Sequence, residues 1–257
     1  MRYSCLAPGK RLRPILCMSS AEAVGAHRKT VMDAACALEM THCFSLIHDD
    51  LPALDNDALR RGRPTCHVEF GESIAILAGD ALFALAFESL AGNPGEPARI
   101  VQALRLLGEA SGSDGLVGGE VMDILNEGQD VDIVTLAYIH TRKTGALIAA
   151  SCEIGALLGG GDEAQVETLR EYGRKVGLAF QIADDILNET STPEMLGKAA
   201  GSDRERQKAT YPTIHGIEGS REAAKAAADA AVEVVSGKFP NSEWLQDLAQ
   251  FAIDRVS

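Results

Sequence analysis

The chain has 257 residues, enough for one large domain or two small ones, and 46% of them are apolar, which suffices for a sizeable core. Its formal net charge of −13 argues against a nucleic-acid-binding protein, which would normally carry a basic face. An anionic substrate stays compatible with this charge if cations or local basic residues neutralise it.

Cysteine usage and the start of the chain point to a reducing compartment. The six cysteines form no C-x-x-C pair, and several lie in apolar helical patterns, as expected for small buried residues. The first residues lack the apolar core of a signal peptide. The two longest apolar runs are interrupted by Asp80 and Glu153, so we expect buried helices, no membrane span and a cytoplasmic protein.

Helical periodicity dominates the chain, and alternating strand patterns of useful length are absent. Several helices are apolar on nearly all sides, as in the interior of a large bundle. Asp162 follows a glycine triplet and precedes a periodic run, which marks it as a helix N-cap. The sequence predicts an all-α protein with antiparallel helices around a core. The predicted helices are 13–25, 30–48, 73–91, 98–111, 116–126, 133–158, 162–188, 221–235 and 242–255.

An acidic cluster follows the second helix, in the segment LIHDDLPALDNDALRRGRP (46–64). Pro52 ends the helix just after Asp49 and Asp50, so Asp55 can fold back towards them. Neighbouring carboxylates repel one another, and a hard divalent cation such as Mg²⁺ relieves that repulsion. Taken alone, the motif slightly favours an ordinary solvated acidic turn.

A second acidic cluster, FQIADDILNET (180–190), ends another mostly apolar helix. Asp184 and Asn188 share a helix face, and Asp185 lies beside them. Charges at the end of a buried helix need a partner. Two such clusters at the mouth of one bundle favour metal ions that hold a polyphosphate between them.

Basic residues are concentrated in four segments: GKRLRP (9–14), RRGRP (60–64), HTRKTG (140–145) and LGKAAGSDRERQKATYP (196–212). Each one alone is more often a surface feature. Together, in an acidic chain, they indicate phosphate-binding groups.

These motifs carry a family resemblance. The chain resembles the trans-isoprenyl diphosphate synthases through GKRLRP, LIHDDLPALDNDALRRGRPTCH, HTRKTGAL, GLAFQIADDIL and LGK…KATYP, which occur in that order. The resemblance covers essentially the whole chain as one polyprenyl synthetase domain, 1–257. It is strongest to short-chain bacterial farnesyl diphosphate synthases, and geranylgeranyl diphosphate synthases resemble it nearly as well. It implies a single-domain helical bundle of the isoprenoid synthase type with a central apolar cavity, and a homodimer.

The resemblance also implies a reaction. In this family an allylic diphosphate ionises with the help of Mg²⁺, for which Mn²⁺ can substitute, and the carbocation alkylates isopentenyl diphosphate. We expect about three Mg²⁺ ions per active site, dimethylallyl or geranyl diphosphate as the allylic substrate, and farnesyl diphosphate as the product. The family motifs assign metal binding to Asp49, Asp50, Asp55, Asp184 and Asp185; catalytic contacts to Lys143, Thr144, Gln181 and Lys198; and substrate binding to Lys10, Arg13, His42, Arg60, Arg61 and Lys208.

Product length is expected to depend on the helix that ends at Asp49. A helix rises about 1.5 Å per residue, so Phe44 lies about 7.5 Å below the metal site. Short-chain members of the family place a bulky residue near this point. Phe44 as the cavity floor, with Ser45 leaving the upper part open, favours a C15 product over C20.

Three features depart from the family pattern. Asn188 stands where Asp is usual, Glu120 where Gln is common, and the chain begins almost at GKRLRP, whereas relatives carry a further N-terminal helix that often contributes to the dimer. Asn188 and the short N-terminus leave a non-catalytic partner subunit open as an alternative. A geranylgeranyl diphosphate synthase stays open because that group resembles the chain nearly as well. A class I terpene cyclase is disfavoured, because DDILNET does not match its second motif.

Overall fold

The computed structural model describes residues 1–191 and 208–254, and it confirms the predicted all-α class. Predictions for 192–207, Lys198 among them, and for 255–257 lie outside the described residues. A 3₁₀ turn, Arg28–Val31, precedes the third helix. The helices are α1 (Arg2–Cys5), α2 (Leu12–Ala23), α3 (Met32–Asp49), α4 (Cys66–Phe70), α5 (Glu72–Ala91), α6 (Pro97–Ser111), α7 (Leu116–Leu125), α8 (Ile133–His140), α9 (Ala146–Leu158), α10 (Glu163–Thr190), α11 (Tyr211–Val235) and α12 (Glu243–Phe251).

The centre of the bundle is α9, which packs against α2, α6 and α10. Nearly every residue of α9 is buried, among them Leu147, Ile148 and Ile154. Glu153 interrupts this apolar run without taking it out of the core. The prediction of a buried helix is therefore confirmed for this segment.

The long helix α10 crosses the bundle between α9 and α11 and carries the second acidic motif at its end. Asp162 and Gln165 form a capping box at its start: the side chain of each accepts a hydrogen bond from the backbone N–H of the other, at 2.8 and 3.0 Å. This confirms Asp162 as the N-cap.

The prediction of a buried helix is wrong for much of α5. One side packs on α3 through Ala75 and Leu82, but only 33% of the most apolar 18-residue stretch of α5 is buried. Ile74 and Leu77 are 53% and 62% exposed. Within 1–191 and 208–254, α5 is the one helix whose length and composition would suit a membrane span, which is weak evidence because core helices pass the same test.

A small β-hairpin follows α3 and was not predicted. Leu59–Arg60 pairs antiparallel with Arg63–Pro64, with Arg60 opposite Arg63. The turn residues Arg61 and Gly62 both have positive φ, at 55° and 72°, as a type I′ turn requires. The hairpin turns the basic RRGRP segment back towards the carboxyl end of α3.

The predicted helix 133–158 contains a π-helical turn, Thr141–Gly145, between α8 and α9. Such turns insert an extra residue and occur frequently at functional sites. α7 packs closely on this turn, because Gly119 has no side chain: a Cβ there would lie 2.2 Å from the Lys143 backbone nitrogen. The turn is therefore held against α7.

The eleventh helix begins earlier than predicted, at Tyr211 instead of 221. Thr210 caps it together with Thr213 in a second capping box. Gly216, with φ 68°, breaks the regular helix before residue 221. The weak apolar periodicity of YPTIHG is why sequence pattern alone missed this first turn.

Candidate active site

One cavity of about 380 Å³ opens among α2, α3, α7, α8, α10 and the start of α11. Its size falls in the usual range for small-molecule sites. Asp50 and Phe44 are not among the described residues that line it. The cavity brings together most of the predicted site residues: Lys10, Arg13, His42, Ser45, Asp49, Asp55, Arg60, Arg61, Lys143, Thr144, Gln181, Asp184, Asp185 and Lys208.

The first acidic motif places its two adjacent carboxylates in different surroundings. Asp49 lines the cavity, and burial together with the charge of Glu120 raises the pKa of Asp49 to about 7. Asp50 lies behind the cavity wall, where it accepts a hydrogen bond from Arg60 Nε at 2.6 Å. Burial raises the pKa of Asp50 to about 6, although Arg60 opposes this shift. Arg60 is thereby committed to an ion pair within the protein.

Both aspartates of the second acidic motif line the cavity, and Asp184 is half-buried. Asp185 is 4% exposed and accepts hydrogen bonds from Gln181 Nε2 at 2.8 Å and from the Tyr211 backbone N–H at 2.9 Å. Asn188 is also buried. In each motif the second aspartate is the more deeply buried of the two.

Two lysines of the cavity form ion pairs with carboxylates of α7 and with Asp55. Lys143 Nζ is 2.6 Å from Glu120 and 2.7 Å from Asp123, and Lys208 Nζ is 3.0 Å from Asp123 and 3.3 Å from Asp55. Burial alone would lower the pKa of Lys143, but Asp123 and Glu120 outweigh it and raise that pKa. Both lysines are therefore cationic. Asp123, which links them, was missed by sequence reasoning, although GGEVMD places it almost one helical turn after Glu120.

A basic wall forms where the loop before α2 meets the hairpin. The Arg61 guanidinium packs against Gly9, where a Cβ would lie 2.8 Å from Arg61 Cζ, so the GKRLRP loop and the RRGRP segment are in close contact. Arg13 is 7% exposed, and its Nε has no hydrogen-bond partner in the described structure. Burial lowers the pKa of Arg13 to about 10. Burial and the charges of Arg13 and Arg61 lower the pKa of His42 well below its usual value, so His42 is neutral. This wall suits a diphosphate.

The carboxylates of the cavity fit a hard divalent cation. Glu120 Oε1 is buried without a hydrogen-bond partner among the described residues, and the raised pKa of Asp49 also marks uncompensated negative charge. Within 1–191 and 208–254, no three His, Cys, Asp or Glu side chains converge on one ion. Mg²⁺ characteristically takes one or two carboxylates and completes its shell with water and substrate phosphate oxygens. An ion held that way matches this donor set.

Phe44 packs between α3 and α5 rather than into the described cavity. It is 9% exposed, and its ring lies 4.7 Å from that of Phe83 and 5.4 Å from that of His48, measured between centroids. Ser45, the next residue, does line the cavity. Because Phe44 is not among the described residues that line the cavity, its role as the cavity floor stays a prediction.

Comparisons with known proteins agree with this geometry. The family model described as Polyprenyl synthetase matches residues 1–241. A heterodimeric geranylgeranyl pyrophosphate synthase large subunit from Arabidopsis thaliana is 52% identical over 232 residues, which are 88% of this chain and 62% of the relative. The chain spans about three fifths of the length of the first curated relatives that it matches.

Solved structures show the same fold. A geranyltransferase from Helicobacter pylori, crystallised with magnesium and isoprenyl diphosphate, is 31% identical with a TM-score of 0.89, and the match covers 98% of this chain and 85% of that one. A geranylgeranyl pyrophosphate synthetase from Pyrococcus horikoshii is 33% identical with a TM-score of 0.89, covering 99% and 88%. From the family match over most of its length, we conclude that the chain belongs to the polyprenyl synthetase family.

Proposed function

We propose that the protein is a prenyl diphosphate synthase that joins an allylic diphosphate to isopentenyl diphosphate. The observation that carries the proposal is one cavity lined by residues of two acidic motifs, by two lysines and by a basic wall. In the reaction the allylic C–O bond breaks and diphosphate leaves. A C–C bond then forms with isopentenyl diphosphate, and the loss of a proton restores a double bond. The departing diphosphate accepts that proton.

The two walls divide the work of binding. Lys143 and Lys208 supply positive charge near Asp49 and Asp55, where the allylic diphosphate would lie. Mg²⁺ or Mn²⁺ would be held by Asp49, Asp55 and Asp184 and, when bound, would stabilise the negative charge that develops on the leaving diphosphate. The family resemblance implies about three such ions per active site.

The basic wall would hold the second substrate. Arg13 and Arg61 are permanent cations, and the neutral His42 can donate a hydrogen bond to an isopentenyl diphosphate oxygen. Lys10 stands at the mouth of the cavity, with Nζ 5.3 Å from the centre of the Phe180 ring. The apolar lining keeps water from a reactive carbocation. That lining includes Leu46, Leu116, Ile139 and Phe180.

We propose a C20 main product, geranylgeranyl diphosphate, in place of the C15 product expected from the sequence. The curated relatives named here and others at 47–52% identity are geranylgeranyl pyrophosphate synthases. Phe44 is also absent from the described cavity lining, which removes the structural reason for a short floor. Farnesyl diphosphate is the second candidate, favoured by the geranyltransferase neighbour.

We also propose that the protein forms a homodimer through α5. Its exposed side chains Ile74, Ile76 and Leu77 form an apolar strip that water solvates poorly. Burial of such a strip against a second copy would explain a helix that is apolar on nearly all sides but only partly covered.

The activity test uses the purified protein with isopentenyl diphosphate, MgCl₂ and each of dimethylallyl, geranyl and farnesyl diphosphate. Products are dephosphorylated and separated by chain length. We expect geranylgeraniol as the main alcohol and no product in excess EDTA. Condensation that persists in chelator contradicts the metal assignment. No product from any substrate pair, with activity appearing only on addition of a catalytic subunit, favours the non-catalytic alternative.

A further inference from the structure

Tyr3, on the short helix α1, contacts the β-hairpin that carries the basic RRGRP segment. Its hydroxyl donates a hydrogen bond to the Pro64 backbone carbonyl at 2.8 Å. The guanidinium carbon of Arg63 lies 4.2 Å from the centre of the Tyr3 ring, close enough for a cation–π interaction. The rings of Tyr3 and Phe70 meet edge to face, with centroids 5.1 Å apart and planes at 89°. Tyr3 therefore ties α1 to the second strand of the hairpin and to α4, which follows it.

The hairpin is too small to hold its position by itself. Its strands, Leu59–Arg60 and Arg63–Pro64, have two residues each, and an isolated two-stranded hairpin is at best marginally stable in water. A cavity of about 40 Å³ lies between the hairpin, α1 and α3, so part of the hairpin is not packed directly against α3. The position of the hairpin relative to α3 therefore depends on the contacts around this cavity.

These contacts anchor both strands of the hairpin. On the first strand, Arg60 Nε lies 2.6 Å from the carboxylate of Asp50 at the end of α3. On the second strand, Arg63 and the carbonyl that follows it contact Tyr3. Arg61 lies in the turn between the strands, with φ of 55°. The direction of the Arg61 side chain is therefore set by both anchors.

The segment that contains Tyr3 also contacts Arg61. The Arg61 guanidinium packs against Gly9, and both residues line the main cavity. Arg11 joins this segment to α3 through an ion pair with Glu39. Residues 3–11 thus form a clamp that contacts the hairpin on one side and α3 on the other.

We propose that Tyr3 is a positioning residue for the basic wall: by holding the hairpin, it keeps the Arg61 guanidinium beside Gly9 and facing the cavity. The inference rests on the proposed function for the substrate that this wall would bind, isopentenyl diphosphate. Tyr3 is not among the described residues that line the cavity, so it acts through Arg61 and does not touch the substrate. An arginine already held in its binding orientation loses less conformational freedom when it binds a diphosphate.

The kinetic test compares two variants of Tyr3. Tyr3→Ala removes both the ring and the hydroxyl, and we expect the KM for isopentenyl diphosphate to rise about tenfold. We expect kcat and the KM for the allylic diphosphate to stay within about twofold of the wild type, because Arg61 is needed for binding the other substrate. Tyr3→Phe keeps the ring and loses only the hydrogen bond to Pro64, so the same KM should rise about threefold.

Leu6→Ala is the matched control. Leu6 belongs to the same segment and is 70% exposed, so we expect its removal to leave both KM values unchanged. Equal increases in the KM for both substrates of Tyr3→Ala, or a fall in kcat alone, would overturn the proposal.

A double-mutant cycle tests whether the effect passes through Arg61. Arg61→Ala removes the guanidinium from the basic wall, and Tyr3 then has no group there to position. In that background we expect Tyr3→Ala to raise the KM for isopentenyl diphosphate by less than about twofold, because coupled changes are not additive. A full tenfold increase in both backgrounds, on the scale expected for losing these contacts, would show that Tyr3 acts by another route.

Limited digestion with trypsin separates this inference from the proposed function, because it needs neither substrate nor turnover. Cleavage between Arg61 and Gly62 requires the hairpin to open locally. We expect this cleavage to be about tenfold faster in Tyr3→Ala than in the wild type, and unchanged in Leu6→Ala. If the wild type makes no prenyl product, the proposed function fails, and faster cleavage of Tyr3→Ala still supports the clamp. Equal cleavage rates in all three proteins would overturn the inference, whatever their activity.

Discussion

Replacing Asp49 by asparagine is expected to stabilise the protein when no divalent cation is present. Burial and the charge of Glu120 raise the pKa of Asp49 from 3.8 to about 7. Ionised Asp49 is therefore unfavourable in the folded state, and asparagine removes that charge while keeping the shape. The residue that we assign to metal binding is thus a source of instability before the metal arrives.

The sign and size follow from proton linkage. Between pH 3.8 and about 7 the folded protein retains a proton on Asp49 that the unfolded chain has lost, so the stability contributed by this group falls as pH rises through that window. At about 1.4 kcal/mol per pH unit, the loss is about 2 kcal/mol at pH 5 and about 4 kcal/mol at pH 8. For a chain of this size, about 2 °C per kcal/mol gives a difference in Tm of about 8 °C at pH 8.

The assay is thermal unfolding in EDTA between pH 5 and 8, with the variant compared directly with the wild type. The comparison isolates Asp49, because the low pKa of His140, about 4, shifts both proteins alike. Asp130→Asn, at an exposed position, is the matched control and should leave Tm unchanged. Added Mg²⁺ should stabilise the wild type more than Asp49→Asn. A Tm difference that does not grow with pH, or a variant less stable at pH 8, would refute the reasoning.

Three further predictions concern metal, product and assembly. Asp184→Ala should lower kcat by about 100-fold or more. Asn188→Asp should lower the Mg²⁺ concentration required for half-maximal rate by about two- to threefold. Similar small effects of both changes on the Mg²⁺ dependence of the rate would contradict the metal assignment. Phe44→Ala removes a side chain that is 9% exposed and should lower stability by about 3–5 kcal/mol; if Phe44 also limits the cavity, the product distribution shifts to longer chains, and an unchanged distribution ends its role as the floor. Leu77→Glu places a charge on the exposed side of α5 and should convert a dimer to a monomer in light scattering without changing the far-UV spectrum; an unchanged mass would exclude this strip as the interface.

The sequence identified the two acidic motifs, but it did not show how the surroundings of the two adjacent aspartates in each motif differ. Adjacent residues on a helix point about 100° apart, and no property of two neighbouring aspartates tells which one is more deeply buried. Only the tertiary partners decide: Arg60 for Asp50, and Tyr211 for Asp185. The spacing of the motifs predicted where the carboxylates meet, because the helices that carry them are long and strongly periodic.

Other features were missed for different physical reasons. Strands of two residues, such as Leu59–Arg60, are too short to show any alternation. The exposed side of α5 was missed because a helix that is apolar all round looks the same whether a core or a second molecule covers it. Asp123 was overlooked because Glu120 and Asp123 in GGEVMD have the spacing of many ordinary helix surfaces. It becomes a site residue only when Lys143 and Lys208 are placed beside it.

The π-helical turn Thr141–Gly145 inserts an extra residue in the continuous helical segment that joins α8 to α9. An α-helix advances about 100° per residue, so the extra residue rotates the side chains before the π-helical turn relative to those after it. Through that rotation α9 can direct apolar side chains into the bundle centre on most of its surface, while His140, Lys143 and Thr144 all reach the same cavity. In a regular helix through this segment, the side chains that pack in the core and those that line the cavity would have to follow one continuous angular repeat. The same side of the helix would then have to serve both. The π-helical turn separates core packing from the orientation of the cavity residues. Residues of α9 can therefore vary for packing without changing the direction of the Lys143 side chain.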